Sequence, residues 1–193
     1  MRKYKNTFVY FDPRLQRAYE ESDCGRIVAF ASTKVMSSDV KKRCYRFDSK
    51  HEYFTYRIAL NLLPEGLQLL RQVNFLVIPG SDLGKKVFYR ADLVVVTNSI
   101  SEQEFRLECA NSCISTQKFL VIEPKGVLTE TAKLKHLVLC ATNKIPVTQI
   151  LFVEMNSLLT FPGETRTTLG QLPAKLLAKI DRLFTLGDIG NGN

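Results

Sequence analysis

Short apolar runs rich in valine, isoleucine and phenylalanine recur along this chain, and they constrain its fold more than any other feature. Each has the length of an ordinary strand, about 4–8 residues, and several are followed by proline or glycine. They lie at residues 7–11, 26–32, 75–78, 91–97, 119–122 and 151–153. None approaches the roughly 18 apolar residues of a membrane-spanning helix. The pattern predicts a strand-rich protein with no membrane segment, in which the first two runs form an adjacent pair.

The sequence between these runs predicts further short elements. Residues 33–58 alternate charged and aromatic side chains, which indicates twisted strands with one exposed face. Residues 64–70 begin with proline and group their apolar side chains on one side, as a short helix does. Residues 137–141 form another apolar run, which has the composition of a strand.

Two longer helices are predicted from capping and periodicity. Ser101 and Glu104 have the spacing of a capping box, which predicts a helix that continues to about Cys113. From Pro173 onward, apolar residues repeat at helical spacing, basic residues take the opposite face, and Gly187 supplies the stop. We therefore expect an α+β fold with an amphipathic C-terminal helix and a frayed tail over residues 187–193.

The length and charge of the chain limit its organisation and its partners. At 193 residues it suits a single domain, residues 1–193, with an insertion over residues 33–90. The formal net charge is +8, and an excess of Lys and Arg favours polyanionic partners such as nucleic acid. A generic basic surface explains the same composition. Because the first residues are charged and lack the apolar segment of a secretory signal, we expect a cytoplasmic protein.

The cysteines and histidines offer little material for a metal site. Five cysteines at irregular spacing argue against a disulfide framework. Cys109 and Cys113 share a predicted helix face and could join His136 and Cys140 around zinc, but structural zinc sites usually place their cysteines on turns. Buried thiols are the better interpretation, so neither a metal nor another cofactor is expected. The segment Gly80–Lys86 departs from a phosphate-binding loop and is interpreted as a turn.

Two stretches near the ends of the chain resemble PemK/MazF-type toxins. At the C-terminal end these are Leu151–Thr160 with its acidic Glu154, the turn Gly170–Pro173, and the last amphipathic helix. At the N-terminal end, Val9–Pro13 and Gly25–Ser32 are similar to the first two strands of that family and the loop between them. Ile27 and Met155 depart from the family pattern, which usually has proline and glutamine there. The longer middle of the chain also departs from it.

This resemblance implies an SH3-like, strongly bent barrel that acts as a homodimeric, metal-independent endoribonuclease and is neutralised by an acidic antitoxin protein. Arg26 would be the catalytic residue that clamps the phosphate or transfers a proton, and Thr97 would be its hydroxyl partner. Arg166, Lys85 and Lys86 would contact the RNA. A surface role for Arg26 and a purely β-forming role for Thr97 remain open. A non-catalytic nucleic-acid-binding or structural module of a phage, plasmid or ribonucleoprotein assembly is the alternative function.

Overall fold

In a computed structural model, the described part of the protein consists of two open sheets and several helices. The structure describes residues 8–21, 27–29, 40–80, 82, 84–111, 118–125, 130–143, 146, 149–154 and 166–185. The strands are β1 (Val9–Asp12), β2 (Arg17–Glu21), β3 (Ile27–Ala29), β4 (Tyr45–Phe47), β5 (Leu67–Ile78), β6 (Val87–Thr97), β7 (Phe119–Lys125), β8 (Ile150–Glu154) and β9 (Arg166–Thr168). The helices are α1 (Val40–Arg43), α2 (Lys50–Leu62), α3 (Glu102–Asn111), α4 (Glu130–Asn143) and α5 (Leu172–Ile180).

The chain divides into two compact units, Met1–Phe54 and Thr55–Asn193. The boundary falls inside the segment that was predicted to be an insertion, residues 33–90, and within α2. The single-domain organisation stays a prediction, and the predicted tail at 187–193 lies outside the described residues.

The first unit contains an antiparallel sheet in the order β3-β2-β1-β4. The prediction that the first two apolar runs are neighbours was wrong, because β2 lies between β1 and β3. This strand has the polar sequence Arg-Ala-Tyr-Glu-Glu, and Tyr19 is its one fully covered side chain. A strand with so little apolar surface has no periodic hydrophobic pattern to reveal it.

The region 33–58 was predicted to be strands, and within its described part, residues 40–58, this was correct for β4 alone. Residues 53–57 lie in α2 instead. Ser49 caps this helix, since its Oγ accepts the backbone N–H of Glu52 at 3.1 Å, while the Glu52 carboxylate accepts the N–H of Asp48 at 2.9 Å. The buried Thr55, Tyr56 and Ala59 then recur at helical spacing. A capping box overrides the strand-like composition of this segment.

The second unit contains a mixed sheet in the order β5-β6-β7-β8-β9. The pairs β5–β6 and β6–β7 are antiparallel, whereas β7–β8 and β8–β9 are parallel. Helix α4 makes the crossover between β7 and β8 that a parallel pair requires. The predicted strand at 137–141 is part of this helix, which buries His136, Leu139 and Cys140 at helical spacing. The predicted helix at 64–70 was also wrong, since Gly66 turns with a φ of +88° into β5.

Helices α3 and α4 contribute to the main core, which lies on one face of this sheet. Phe105 and Cys109 of α3 and Leu139 and Cys140 of α4 meet side chains from β5 to β8. The ring of Phe75 on β5 packs against Phe105 and Phe119. The capping box of α3 is confirmed, because Ser101 and Glu104 exchange hydrogen bonds at 3.1–3.2 Å between side chain and backbone.

The α+β class is confirmed, but neither sheet of described strands closes into a barrel. Strands β5 and β9 are the two edges of the second sheet and do not pair with each other. The described strands therefore do not form the predicted SH3-like barrel. Helix α5 buries Leu172, Leu176 and Ile180 and continues as a π-helical turn to Thr185. Among the described helices, none has the length and apolar character needed to cross a membrane.

Candidate active site

A fork between β6 and β7 gathers charged side chains in the second unit. The ladder between these strands runs from Val96–Phe119 to Leu93–Ile122, and the next residues, Asp92 and Glu123, carry carboxylates. The backbone N–H of Asp92 turns toward the Glu123 side chain, with its nitrogen 3.4 Å from Oε1. Beyond this point β7 pairs, among the described strands, with β8 alone. The strands therefore separate where both present a carboxylate.

Lys125 lies between the two carboxylates. Its Nζ is 2.6 Å from Oδ2 of Asp92 and 2.9 Å from Oε2 of Glu123. Glu123 is fully buried, whereas the side chains of Asp92 and Lys125 are 20% and 32% exposed. Because Glu123 and Lys125 are two residues apart on β7, both project from the same face of the strand. The three charged groups form a cluster, here called the Asp-Glu-Lys cluster, that reaches from the interior to solvent.

Burial and mutual charge shift the pKa values of this cluster. Burial raises the pKa of Glu123 to about 7, and the negative charge of Asp92 acts in the same direction, while the Lys125 ammonium partly opposes them. Burial lowers the pKa of Lys125, but the carboxylates of Glu123 and Asp92 outweigh it and leave this pKa above its ordinary value. Lys125 is consequently a cation at neutral pH.

Two aromatic side chains continue the cluster into the core. The Tyr89 hydroxyl donates a hydrogen bond to Oε1 of Glu123, and Nε2 of His136 lies 2.8 Å from the same hydroxyl. Both rings are about 95% buried. Burial raises the pKa of Tyr89 well above its ordinary value, with the Glu123 charge adding to the effect, so the phenol keeps its proton at neutral pH.

A local irregularity in β5 and β6 sets the position of Asp92. Core side chains on these strands are three residues apart here, Leu70 with Val73 and Ala91 with Val94, instead of the usual two. Between them lie Gln72, whose φ is +51°, and Asp92. The guanidinium of Arg106 on α3 donates to the carbonyls of Arg71 and Gln72, at 2.6 and 3.1 Å. This contact braces the strand that lies beside Asp92.

Exposed basic and aromatic side chains precede the cluster on β6. Lys85 and Lys86 are exposed in the turn before the strand, and Arg90 is exposed two residues before Asp92. Phe88, which is 44% exposed, lies between Lys86 and Arg90 in an alternating pattern. At about 3.3 Å per residue, the path from Lys86 to Asp92 is roughly 20 Å long. The basic stretch Lys85–Arg90 therefore precedes Asp92 on the same strand, with Phe88 and Arg90 on the face opposite the buried Tyr89 and Ala91.

Of the site residues predicted from the sequence, Thr97 lies at one end of β6, and Lys85 and Lys86 precede the other end. Arg26 lies outside the described residues. Thr97 ends β6, five residues beyond Asp92, and its hydroxyl lies 2.6 Å from that of Ser99. Arg166 begins β9, where its backbone pairs with Phe152. Lys85 and Lys86 are exposed, as contact with a polyanion would require. Their role in binding RNA stays a prediction.

Sequence reasoning missed the Asp-Glu-Lys cluster, although a local signal was present. The apolar run Phe119–Ile122 continues directly into Glu-Pro-Lys, so a carboxylate enters a buried strand with a lysine two residues later. Acidic residues are almost never fully buried without a partner. That sequence points to a buried ion pair but does not identify Asp92, which comes from another strand.

Carboxylate oxygen is the ligand that Mg²⁺ and Mn²⁺ favour. In the described part of the chain, no three His, Cys, Asp or Glu side chains come together as a metal-binding set. Asp92 and Glu123 would thus supply two ligands. Mg²⁺ usually binds proteins through one or two carboxylates and takes its other ligands from water and substrate phosphate. Both carboxylates lie within 3 Å of the Lys125 ammonium nitrogen, so a divalent cation that bound both would displace this ammonium.

Two of the cysteines that were considered for a zinc site, Cys109 and Cys140, lie in the main core. Cys109 and Cys140 are buried, reduced and part of the main core, and burial raises the pKa of Cys109 to about 12. Cys113 lies outside the described residues.

Comparisons with models of protein families, with curated proteins and with solved structures found no match to this chain.

Proposed function

We propose that the Asp-Glu-Lys cluster is the centre of a divalent-cation-dependent phosphodiesterase that hydrolyses nucleic acid. The observation that carries the proposal is the Lys125 ammonium held within 3 Å of two carboxylates, one fully buried, at the fork between β6 and β7. Two carboxylates suit a Mg²⁺ or Mn²⁺ ion, and an adjacent permanent cation suits the phosphate that such an ion would bind.

Stability alone does not explain such a cluster. Burying charged groups carries a large desolvation cost, and replacing a buried ion pair by apolar residues is often neutral or stabilising. The rest of the β7 strand shows that apolar residues fit this sheet, since Phe119 to Ile122 are completely buried. Strongly shifted pKa values in a charged cluster that reaches solvent are typical of functional sites.

Each residue has a distinct role in the proposed hydrolysis. Asp92 and Glu123 hold the cation, which would polarise a phosphoryl oxygen and lower the pKa of a coordinated water. Lys125 stays charged at neutral pH, so it stabilises negative charge on the phosphoryl oxygens and does not act as a general base. Water adds to phosphorus and loses a proton to solvent, the P–O bond to one sugar oxygen breaks, and that oxygen takes up a proton. The products are a phosphomonoester end and a hydroxyl end.

Nucleic acid is the substrate class that the charges favour. The chain carries a net charge of +8, and the exposed Lys85, Lys86 and Arg90 precede Asp92 on one strand. Exposed Phe88 between them offers a ring on which an unpaired base could stack. Because water is the nucleophile, this mechanism does not need a ribose 2′-hydroxyl. RNA and DNA should therefore both be cleaved.

Cleavage assays with single-stranded RNA and single-stranded DNA test the proposal. We expect both substrates to be cut with Mg²⁺ or Mn²⁺ present and neither to be cut in EDTA. Asp92→Asn and Lys125→Met should each lower the rate at least 100-fold while circular dichroism stays unchanged. Glu130→Gln, which changes an exposed carboxylate on α4, is the matched control and should keep full activity. Cation-independent cleavage, or full activity of Asp92→Asn, would overturn the proposal.

The toxin resemblance supports a second candidate, a metal-independent endoribonuclease with Arg26 and Thr97 at its centre. That enzyme would use the 2′-hydroxyl of RNA as nucleophile, form a homodimer and bind an acidic antitoxin. It would also require a bent barrel. The same assays distinguish the candidates, since this one predicts cleavage of RNA alone, undiminished in EDTA and lost in Arg26→Ala. Salt-dependent binding without cleavage under any condition would instead favour the non-catalytic nucleic-acid-binding module.

A further inference from the structure

The most exposed large apolar side chains of the described residues are three leucines on α3 and α4. Leu107 on α3 is 62% exposed, and Leu134 and Leu137 on α4 are 62% and 59% exposed. Both helices cover the same face of the second sheet, since each contributes side chains to the main core. Single exposed leucines are common on proteins, but three on one side of a sheet indicate an interaction surface. These leucines and the charged residues beside them are here called the α3–α4 surface.

The part of this surface on α3 is acidic. Glu104, Leu107 and Glu108 are exposed and lie at helical spacing, so the two carboxylates flank the leucine on one face of the helix. The basic side chain of α3, Arg106, is directed elsewhere, because its guanidinium donates to carbonyl groups of β5 and pairs with Glu102. An acidic face with an exposed leucine suits a basic partner, and this chain is itself basic, with a net charge of +8.

The part of the surface on α4 carries the opposite charge. Leu134 and Leu137 are three residues apart and share one face of the helix. Lys133 and Lys135 lie on either side of this pair of leucines, since each is about 100° around the helix from Leu134. Lys135 is exposed, and Lys133 pairs with Glu130 at 2.8 Å. The leucines of α4 are therefore flanked by ammonium groups, whereas the leucine of α3 is flanked by carboxylates.

The edges of the second sheet are less suited to contact with another molecule. Carbonyl groups of the edge strand β5 accept hydrogen bonds from both helices: Arg106 donates to that of Gln72, and the Thr142 hydroxyl donates to that of Val77 at 3.0 Å. These carbonyl groups are then occupied and cannot pair with a further strand. The other edge, β9, has three residues, and short edge strands resist such pairing. The helices consequently offer the better contact.

We propose that the α3–α4 surface is the interface of a two-fold symmetric dimer of this chain. In such a dimer both copies use the same surface, so α3 of each copy packs on α4 of the other. Leu107 then lies against Leu134 and Leu137 of the second copy, and Glu108 lies near the second copy's Lys135. A surface whose two halves are both apolar and opposite in charge is complementary to itself. This inference does not rest on the proposed function, because the Asp-Glu-Lys cluster takes no part in it.

Sedimentation equilibrium of the full-length protein over roughly a hundredfold range of concentration tests the dimer. We expect the wild type to shift from the 22.0 kDa chain toward twice this mass. Leu134→Gln with Leu137→Gln keeps good helix formers and removes apolar surface from both halves of the interface, so the dissociation constant of the dimer should rise about 100-fold or more. Leu15→Gln is the matched control, because Leu15 is 52% exposed in the first unit, and it should leave the dissociation constant unchanged.

Charge reversal tests which helices meet. Glu108→Lys and Lys135→Glu should each weaken the dimer about tenfold, because each places like charges opposite one another, and the two changes together should restore most of the affinity. Circular dichroism should be the same for all variants, since every substituted side chain is exposed. A wild type that is monomeric at every concentration would overturn the proposal, as would an undiminished dimer in the double leucine variant. A combined charge variant weaker than both single variants would also overturn it, because α3 would not then face α4 of the second copy.

Discussion

Glu123 combines complete burial with a pKa raised to about 7 by that burial and by Asp92. Its ordinary pKa is 4.5, so the folded protein binds this proton more tightly than the unfolded chain does. The contribution of Glu123 to stability is therefore fully present below about pH 4.5 and is lost as the pH rises through 7. As the pH rises above about 7, the ionised carboxylate destabilises the fold that positions it.

Glu123→Gln should remove this pH dependence. From the shift between 4.5 and about 7, the loss in wild type is on the order of 3 kcal/mol. We expect the variant to gain stability relative to wild type by most of this amount between pH 5 and pH 8. Urea unfolding in EDTA at both pH values measures the change, and Glu130→Gln should follow wild type throughout. Parallel stability curves for wild type and Glu123→Gln would contradict the assignment.

At the residue scale, the sequence could predict charge but not proximity. The lysines at 85 and 86 were predicted to contact RNA, which stays a prediction, and the structure places them at the surface. Asp92 and Glu123 are 31 residues apart and come together only through pairing of β6 with β7. Thr97 shares a strand with Asp92 but lies about 17 Å beyond it, at 3.3–3.4 Å per residue. Residue types therefore identified basic side chains but not which charged groups meet in the fold.

At the element scale, helix α3 supports the strand next to the site through one side chain. Arg106 donates to two carbonyl groups of β5 at the point where that strand changes face. It also pairs with Glu102 one turn earlier on the helix, at 2.7 Å. Through Arg106, helix α3 thus supports the irregular part of β5 beside Asp92, in addition to covering the core.

Arg106→Met should destabilise the protein by about 1–3 kcal/mol, because it leaves two carbonyl groups without their donor. We also expect lower nuclease activity, since the position of Asp92 depends on this part of the sheet. Glu102→Gln removes only the exposed ion pair and should cost less than about 1 kcal/mol. Chemical denaturation and cleavage rates measure both effects. Equal stability of the two variants would show that the carbonyl contacts contribute little.

Capping signals predicted elements better than residue composition did. The Ser101–Glu104 box correctly placed the start of α3, and a similar box at Ser49 and Glu52 marks α2. Aromatic composition misassigned residues 53–57 as strands, and a short apolar run misassigned residues 137–141. Such residues suit strands, but they also fill the buried face of a helix, and length and caps must decide between the two.

The basic stretch Lys85–Arg90 should determine the salt dependence of nucleic-acid binding. Each phosphate contact that is lost lowers the slope of log K against log salt by about 0.7 for a single strand. We expect Lys86→Gln with Arg90→Gln to lower the slope by about 1.4, and Phe88→Ala to weaken binding by about 1–3 kcal/mol with little change in slope. Fluorescence anisotropy in EDTA measures both. Lys135→Gln on α4 is the charge control, and an equal effect there would point to a diffuse surface.

At the scale of the whole molecule, every group of the Asp-Glu-Lys cluster, with Tyr89 and His136 behind it, belongs to the second unit, Thr55–Asn193. That unit has its own core, built from β5 to β8 with α3 and α4. Sequence length suggested one domain because 193 residues lie near the usual single-domain size. Chain length does not show where contacts within the chain are dense. The boundary also falls within helix α2, where the sequence has no glycine- or proline-rich stretch that would mark a linker.

A fragment of residues 49–193 should therefore fold cooperatively and bind Mn²⁺ within about threefold of the full chain. It begins at Ser49, the cap of α2, so the buried Thr55, Tyr56 and Ala59 stay in a complete helix. A fragment of residues 64–193 lacks that helix and should be less stable, since it loses the burial of these side chains. Calorimetric unfolding and Mn²⁺ titration of both fragments provide the measurements. If the longer fragment folds but does not bind Mn²⁺, the first unit must supply a ligand, and a centre made of Asp92, Glu123 and Lys125 would be incomplete.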